Sequence, residues 1–358
     1  MAQRYWRAPP VEETLMPTTA EDLAKELPGE RRKGTVLGTE LTFRIRKRWL
    51  PDAAADRMFW FATLCAAIFV LVLLSGVAFS MLWGGRLAFQ TFGWRFLIST
   101  DWDAVAHKFG ALIPIYGTLV SSFLALLIAV PISFGIAMFL TEIAPRWMKG
   151  PVSTAIELLA AIPSIIYGMW GLFVFAPVLA DHVEPWLIDT LGNAWLIGPL
   201  FTGAPIGLGM LPAGMILGIM IIPFITAVMR DVFSATPQML KESAFALGAT
   251  RWEVIRKVVL PYTRSAVIGA IFLGLGRALG ETMAVTFVLG NAHDLSVSLL
   301  DPSNSIAATL ANEFTEADSP IYLSSLIALG FVLFVVTFIV LALAKLLLLR
   351  LNRMEGAK

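Results

Sequence analysis

The chain has 358 residues, of which 57% are hydrophobic and only 15% are charged, and its mean hydropathy is +0.76. This composition is too apolar for an ordinary soluble domain and predicts a membrane protein. The net charge of +1 gives no reason to expect an acidic partner or nucleic acid, and a single cysteine excludes an intrachain disulfide. The three histidines lack ligand spacing, so neither a metal nor another cofactor is expected.

The first 57 residues are predicted to form a disordered, basic tail on the cytoplasmic side. The stretch up to about Phe43 is polar and broken by four prolines, so it cannot bury enough apolar surface to fold alone. A cleaved signal peptide is not expected, because the first apolar run begins near Met58 and exceeds the usual length of a cleaved core. A basic cluster precedes that run, where it is expected to contact lipid headgroups: Arg44, Arg46, Lys47, Arg48 and Arg57.

Six apolar runs are each long enough to cross about 30 Å of hydrocarbon as a helix. They cover residues 58–83, 111–140, 152–176, 211–229, 265–289 and 321–348. Pro114 and Pro131 interrupt the second run, where a kinked or broken helix is expected, and Pro163 lies in the third. The predicted fold class is an all-α polytopic membrane protein with six transmembrane helices, in which residues 111–350 form the core.

A polar segment at 236–261 separates the fourth and fifth runs and is predicted to form two short helices with a break between them. Thr236 can cap the first helix and Pro237 suits its first position. Gly248 can end that helix because glycine adopts a positive φ without strain. Thr250 and Glu253 have the spacing of a capping box for the second helix, which Pro261 is expected to stop.

Lysine and arginine in short loops mark the cytoplasmic side of a membrane protein. With the N-terminus inside, the loops after the second and fourth runs are basic, whereas 177–210 and 290–320 carry acidic residues only. The C-terminus then also lies inside. One segment does not fit this orientation, because Arg86, Arg95 and Lys108 fall on the outer side.

Charged residues inside the fifth run are the candidates for specific chemistry, since an arginine at the bilayer centre costs roughly 2.5 to 3.5 kcal/mol. Arg277 lies about 18 Å along that run. Glu281 follows one helical turn later and is expected on the same face. The two residues either neutralise each other within a helix bundle, or Arg277 meets an anion in a transport path while Glu281 positions it.

The segment at 236–261 resembles the cytoplasmic EAA loop of ABC importer permeases, with conservative departures at Ser243 and Val258. The matching residues are Glu242, Ala244, Gly248 and Pro261. This resemblance implies a type I ABC importer permease fold, with coupling helices that dock into a cleft of a separate ATPase subunit. A DNA-reading helix-turn-helix is a weaker interpretation, because membrane spans flank the segment closely.

Two longer runs resemble the permease subunits of phosphate-specific ABC importers. They are ELLAAIPSIIYGMWGLFVFAP at 157–177 and GRALGETMAVTFVLGN at 276–291. The resemblance implies import of inorganic phosphate across a bacterial inner membrane. It also implies a PstA-like sister permease, a dimer of a PstB-like ATPase and a PstS-like phosphate-binding protein.

Other functions stay open at this point. Residue chemistry alone indicates an anion, so phosphonate, sulfate or molybdate are rival substrates within the same family. An ion-coupled secondary transporter would show inverted repeats, and none is evident. The sequence has no G-x-x-x-x-G-K-[ST] nucleotide site and no H-E-x-x-H or G-x-S-x-G motif, so we expect a non-catalytic subunit.

Overall fold

The computed structural model of the chain describes residues 32–36, 39–43, 52–195 and 197–356. Contacts divide the chain into two units, residues 1–73 and 74–358. In the first unit, strands β1 (Arg32–Val36) and β2 (Thr39–Phe43) pair antiparallel, and helix α1 (Asp52–Gly84) begins. Apart from these strands and the start of α1, the tail for which disorder was predicted lies outside the described residues.

The second unit begins within α1 and is helical apart from a two-residue strand pair, β3 (Trp102–Asp103) and β4 (Lys108–Phe109). Its first helices are α2 (Arg86–Phe92), α3 (Arg95–Ile98), α4 (Leu112–Ile143), α5 (Arg146–Ala160) and α6 (Ser164–Leu191). Its later helices are α7 (Met210–Ser234), α8 (Gln238–Ala246), α9 (Arg251–Leu279), α10 (Met283–Val288), α11 (Ile306–Glu313) and α12 (Pro320–Gly356).

Within the described residues, six helices are long and apolar enough to cross a membrane. They are Ala54–Gly84 in α1, Pro320–Arg350 in α12, and the whole of α4, α6, α7 and α9. The predicted number of spans is therefore confirmed. The all-α class is confirmed as well, since the strand pairs are too short to form a sheet core.

Helix α7 is the centre of the main core. Ile221, Ile225 and Met229 along it are fully buried, and they pack with residues of α4 and α9. Close approach to α4 depends on glycine, because a Cβ at Gly214 would lie 2.7 Å from the Cβ of Leu124. Small residues allow membrane helices to approach closely and gain packing contacts.

The structure corrects the third predicted span. A single helix over 152–176 is wrong, because α5 ends at Ala160 and α6 begins at Ser164. Pro163 has an extended conformation with ψ 136° between them. Proline has no N–H to donate and disfavours a helical conformation in the residue before it, so it separates an amphipathic helix from the true span. Pro131, by contrast, lies inside the unbroken helix α4.

Candidate functional site

The two-helix form of the 236–261 segment is confirmed. Helix α8 ends in two hydrogen bonds, from Gly248 N to Phe245 O at 2.9 Å and from Ala249 N to Ala244 O at 3.1 Å. This is the Schellman pattern, which needs a left-handed residue at its turn. Gly248 supplies it with φ +86°. A Cβ added there would meet no atom within 4 Å, so the requirement for glycine within this chain comes from the backbone alone.

The capping box at the start of α9 is also confirmed. Glu253 N donates to Thr250 Oγ1 at 3.4 Å, and Thr250 N donates to Glu253 Oε2 at 3.0 Å. The predicted cap at Thr236 is wrong, because Pro237 precedes the first helical residue, Gln238. Pro237, with a ψ of 131°, occupies the N-cap position, so Thr236 lies one residue before the cap. The Thr236 hydroxyl is buried without a hydrogen-bond partner among the described residues.

Pro261 does not stop the second helix as predicted, because α9 continues through it to Leu279. The turn immediately before the proline, Ile255–Val259, is a π-turn, and Leu260 N donates to Ile255 O five residues back. Such a turn inserts one extra residue into the helix. The widened turn accommodates the proline ring and its missing N–H, so the second helix of the 236–261 segment and the fifth span form one continuous helix.

The segment at 236–261 exposes large apolar side chains. Met239 is 76% exposed, Leu247 is 89% exposed and Trp252 is 64% exposed. Glu242 is exposed as well, whereas Ala244 is half-buried against the main core. Exposed apolar side chains concentrated in one polar segment are typical of a surface that contacts another protein or the membrane.

An ion pair that the sequence did not reveal joins α8 to the end of α4. Lys241 Nζ lies 2.5 Å from Glu142 Oε1, and the two side chains are only 14% and 11% exposed. Lys149 Nζ donates to Thr141 O at 2.6 Å beside this pair. The partners are 99 residues apart, so no local spacing predicts the contact.

Arg277 lies on the last turn of α9, with its guanidinium carbon 5.4 Å from the ring centre of Phe224 on α7. It is exposed, close enough to Tyr167 of α6 to interact with it electrostatically, and has no ion pair or hydrogen bond within the described residues. A guanidinium over an aromatic face is held by the ring while its donors stay available. Arg277 can therefore donate to an anion.

Glu281 does not share a helical face with Arg277, contrary to the sequence prediction. Helix α9 ends at Leu279, and Glu281 lies in the break before α10. Its Oε1 accepts from Ala284 N at 3.4 Å, so the carboxylate binds the first turn of α10, whose N-cap residue is Thr282. Gly280 ends the helix, and glycine favours such ends because it loses more entropy than other residues in a helix.

Glu281 instead lines a small recess with hydroxyl groups from α4 and from the start of α11. The hydroxyl-bearing residues are Thr118, Ser121, Ser122 and Ser305. Ser122 is 1% exposed, and its hydroxyl has no partner among the described residues. Serines within an apolar span are the sequence feature that could have indicated this recess, because a buried hydroxyl in a membrane needs a partner.

A second polar cluster surrounds Glu313 at the end of α11. Its Oε1 lies 2.9 Å from His293 Nε2, while Trp102 Nε1 and Tyr322 OH each donate to Oε2 at 2.7 Å. Burial raises the pKa of Glu313, but the hydrogen bonds from His293, Tyr322 and Trp102 outweigh burial and hold it below the usual value. The carboxylate therefore joins β3, α11 and α12 as a charged acceptor. Within the described residues, no group of three or more His, Cys, Asp or Glu side chains could hold a metal ion.

Comparisons with known proteins match most of the chain to one family of transport proteins. The family described as "Binding-protein-dependent transport system inner membrane component" matches residues 130–353. A phosphate transport system permease protein PstC of Xylella fastidiosa is 61% identical over 86% of this chain and 95% of its own length. The proteins of the same name from Pasteurella multocida and Haemophilus influenzae are 59% and 53% identical, over 82% and 87% of this chain and 91% and 98% of their own lengths.

A similar solved structure belongs to a bacterial ABC transporter involved in the import of the acidic polysaccharide alginate. That chain is 17% identical and superposes with a TM-score of 0.53, covering 84% of this chain and 97% of the other. The likeness shows a shared fold, that of a type I ABC importer permease. With a match over residues 130–353 and relatives up to 61% identical, the chain belongs to the family of binding-protein-dependent transport system inner membrane components.

Proposed function

We propose that this chain is the permease subunit of an ATP-driven importer of inorganic phosphate. The observation that carries the proposal is the 53 to 61% identity, over more than four fifths of the chain, to proteins named phosphate transport system permease PstC. Identity at this level over more than four fifths of the chain preserves both the fold and the spans that line a path. The chain is a multi-pass inner membrane protein, and its substrate is an anion that must cross a low-dielectric layer.

ATP hydrolysis takes place on a partner subunit. The absence of a nucleotide-binding loop from the sequence supports this, as do the exposed apolar residues of the 236–261 segment. Glu242, Ala244, Gly248 and Pro261 serve coupling in different ways. Glu242 faces the ATPase, while Ala244 and Gly248 form the turn that presents Leu247 to it. Pro261 lies where α9 continues from the coupling segment into the membrane.

Motion of the ATPase reaches the membrane along two connections. One is the continuous rod of α9, which begins in the coupling segment and carries Arg277 on its last turn. The other is the Lys241–Glu142 ion pair, which ties α8 to α4. A displacement of the coupling segment is thereby delivered to the helices that bear Arg277 and the hydroxyl recess, as expected for alternating access.

Arg277 contacts the phosphate directly, and Glu281 offsets its positive charge from the neighbouring helix break. Arginine donors match phosphate oxygens in geometry and charge. A single arginine on this path binds a dianion weakly enough to release it, which conduction requires. Ser122, whose hydroxyl has no partner among the described residues, lines the same small recess as Glu281.

The remaining subunits follow from the same function. A PstA-like sister permease completes the pathway, a PstB-like ATPase dimer docks on the cytoplasmic side, and a PstS-like binding protein delivers phosphate from outside. Both termini of this chain lie in the cytoplasm. The basic loop at 230–264 and the acidic external loops support that orientation.

The substrate is tested by complementing a bacterial strain that lacks its own high-affinity phosphate importer with the full transporter. We expect saturable uptake of radiolabelled phosphate that excess sulfate, molybdate or phosphonate does not inhibit. A strain carrying all subunits except this chain is the matched control. Uptake of sulfate or molybdate in place of phosphate would reject phosphate as the substrate while leaving the permease fold unaffected.

A further inference from the structure

Arg230, near the end of α7, is the centre of an ion-pair cluster that the phosphate path described above does not use. Its Nη1 donates to Glu157 Oε1 on α5 at 2.9 Å. Its Nη2 and Nε donate to Oδ1 of the adjacent Asp231 at 2.9 and 3.1 Å. The Arg230 side chain is only 20% exposed, whereas the two carboxylates are 56% and 70% exposed. All three guanidinium nitrogens therefore donate to carboxylates that water can reach.

Two connections place this cluster close to the surroundings of Arg277. Phe224, whose ring the Arg277 guanidinium overlies, is on the same helix as Arg230. The two residues are about 9 Å apart along the axis of α7, at roughly 1.5 Å per residue. On α5, Leu159 O accepts from Tyr167 OH at 3.0 Å, and Tyr167 interacts electrostatically with Arg277. The Arg230 cluster thus lies on the side of Arg277 that leads to the end of α7.

Helix α5 connects this cluster to the contact between α4 and α8. In its first turn, Lys149 Nζ donates to the backbone oxygen of Thr141, the residue before Glu142, which pairs with α8. Its last turns carry Glu157. The proline break after α5 separates it from the span α6, and such a break lets one element move relative to the next. A displacement of α8 can therefore change the position of Glu157 beside Arg230.

We propose that Arg230 is a second binding residue for the transported anion, on the cytoplasmic side of Arg277, and that Glu157 occupies it between transport events. This inference rests on the proposed import of phosphate. A shift of α5 withdraws Glu157, and a phosphate oxygen takes its place on Nη1. Return of the carboxylate then displaces the phosphate towards the cytoplasm. Carboxylate and phosphate oxygens are alternative acceptors for the same guanidinium donors.

The charges of the cluster give this exchange a direction. With Glu157 in place, one arginine and two carboxylates carry one excess negative charge, so the cluster repels cytoplasmic phosphate and offers it no open guanidinium nitrogen. With Glu157 withdrawn, Asp231 balances the charge of Arg230 and Nη1 is open to one oxygen. Phosphate then meets one available arginine at a time along the path, and binding stays weak enough for release.

Inhibition of uptake by internal phosphate tests the proposal. Proteoliposomes contain the complete transporter with ATP and inorganic phosphate inside, and the initial rate of entry of radiolabelled phosphate is measured at rising internal phosphate concentrations. In Glu157→Gln, Nη1 stays open to phosphate from the cytoplasmic side. Internal phosphate should therefore halve the rate at a concentration about tenfold lower than in wild type. The variant should fold, because exposed ion pairs contribute little to stability.

Two further variants separate binding at Arg230 from a structural role. Glu157→Gln combined with Arg230→Gln should return the inhibitory concentration to the wild-type value, because the binding residue itself is gone. Arg146→Gln, at an exposed arginine on α5, is the matched control and should leave that concentration unchanged. Equilibrium binding of radiolabelled phosphate to the purified transporter gives the same comparison without turnover. Glu157→Gln should bind about tenfold more tightly than wild type, and the double variant should not.

A purely structural ion pair would lower the rate in both variants without changing the response to internal phosphate, and that result would overturn the proposal. So would sensitivity to internal phosphate, or tighter phosphate binding, that persists in the double variant. Absence of phosphate uptake by the wild-type transporter would instead reject phosphate import itself, and this inference with it.

Discussion

The ion pair between Lys241 and Glu142 gives a quantitative test of the link between the coupling segment and the membrane helices. Both side chains are almost fully buried, at 14% and 11% exposure. Removing one partner leaves the other charge poorly solvated, which costs about 3 to 5 kcal/mol for a fully buried pair. Residual exposure places this pair at the lower end, so we expect about 3 kcal/mol for Glu142→Gln.

The two single substitutions are not expected to cost the same. Lys149 donates to the backbone oxygen of Thr141, the residue before Glu142. After Lys241→Met, Lys149 can partly compensate Glu142, so the loss should be nearer 2 kcal/mol. After Glu142→Gln, by contrast, Lys241 has no other ion-pair partner among the described residues.

A double-mutant cycle in mixed detergent micelles measures these values by reversible unfolding of the purified transporter. The double variant should lose less than the sum of the single variants, with a coupling energy of about 2 kcal/mol. A charge-swapped variant, Glu142→Lys with Lys241→Glu, should recover most of the stability and of the ATP-driven uptake. Strict additivity, with a coupling energy near zero, would show that the pair does not tether α8 to α4.

Three further variants test other parts of the account. Arg277→Gln should abolish phosphate uptake while the subunits still copurify, and normal uptake would remove Arg277 from the pathway. Gly248→Ala should lower the free energy of unfolding by about 1 to 2 kcal/mol, because alanine is strained at a positive φ, and it should weaken ATPase coupling. Gly248→Asn should have a smaller effect, because asparagine tolerates that conformation. Equal impairment of the two variants in coupled ATPase assays would contradict a purely backbone requirement. Glu313 has a lowered pKa when folded, so its stabilisation is present above the ordinary carboxyl pKa of about 4.5 and is lost as pH falls through the lower folded value. The melting temperature of Glu313→Gln should therefore lie below that of wild type at neutral pH and should fall less as the pH is lowered. Parallel pH profiles of the melting temperature for the two proteins would refute this role.

Features that depend on neighbouring residues were predictable from the sequence. The capping box of Thr250 and Glu253 and the turn at Gly248 involve groups only a few residues apart, so their chemistry is complete within a short window. The six spans were predictable because hydrocarbon demands long apolar runs. The ends of the spans were harder to predict, because apolar composition continues across Pro163 and Gly280 although the helices end there.

Features that depend on tertiary contacts were not predictable. Helical spacing placed Glu281 beside Arg277, but α9 ends before Glu281, whose carboxylate binds the first turn of the next helix instead. Pro261 was expected to end a helix, but the preceding π-turn absorbs it. The Lys241–Glu142 pair joins residues distant in sequence, and only the folded structure shows that they meet.

The requirement for a separate ATPase tests the central claim most directly. Phosphate uptake should be measured in proteoliposomes that contain the full transporter with ATP on the side of the coupling segment, and in matched vesicles with an ATPase variant that binds but does not hydrolyse ATP. We predict accumulation of phosphate against its gradient only with ATP and the active ATPase. Accumulation driven by the permease chains alone, or with the inactive ATPase, would contradict the account.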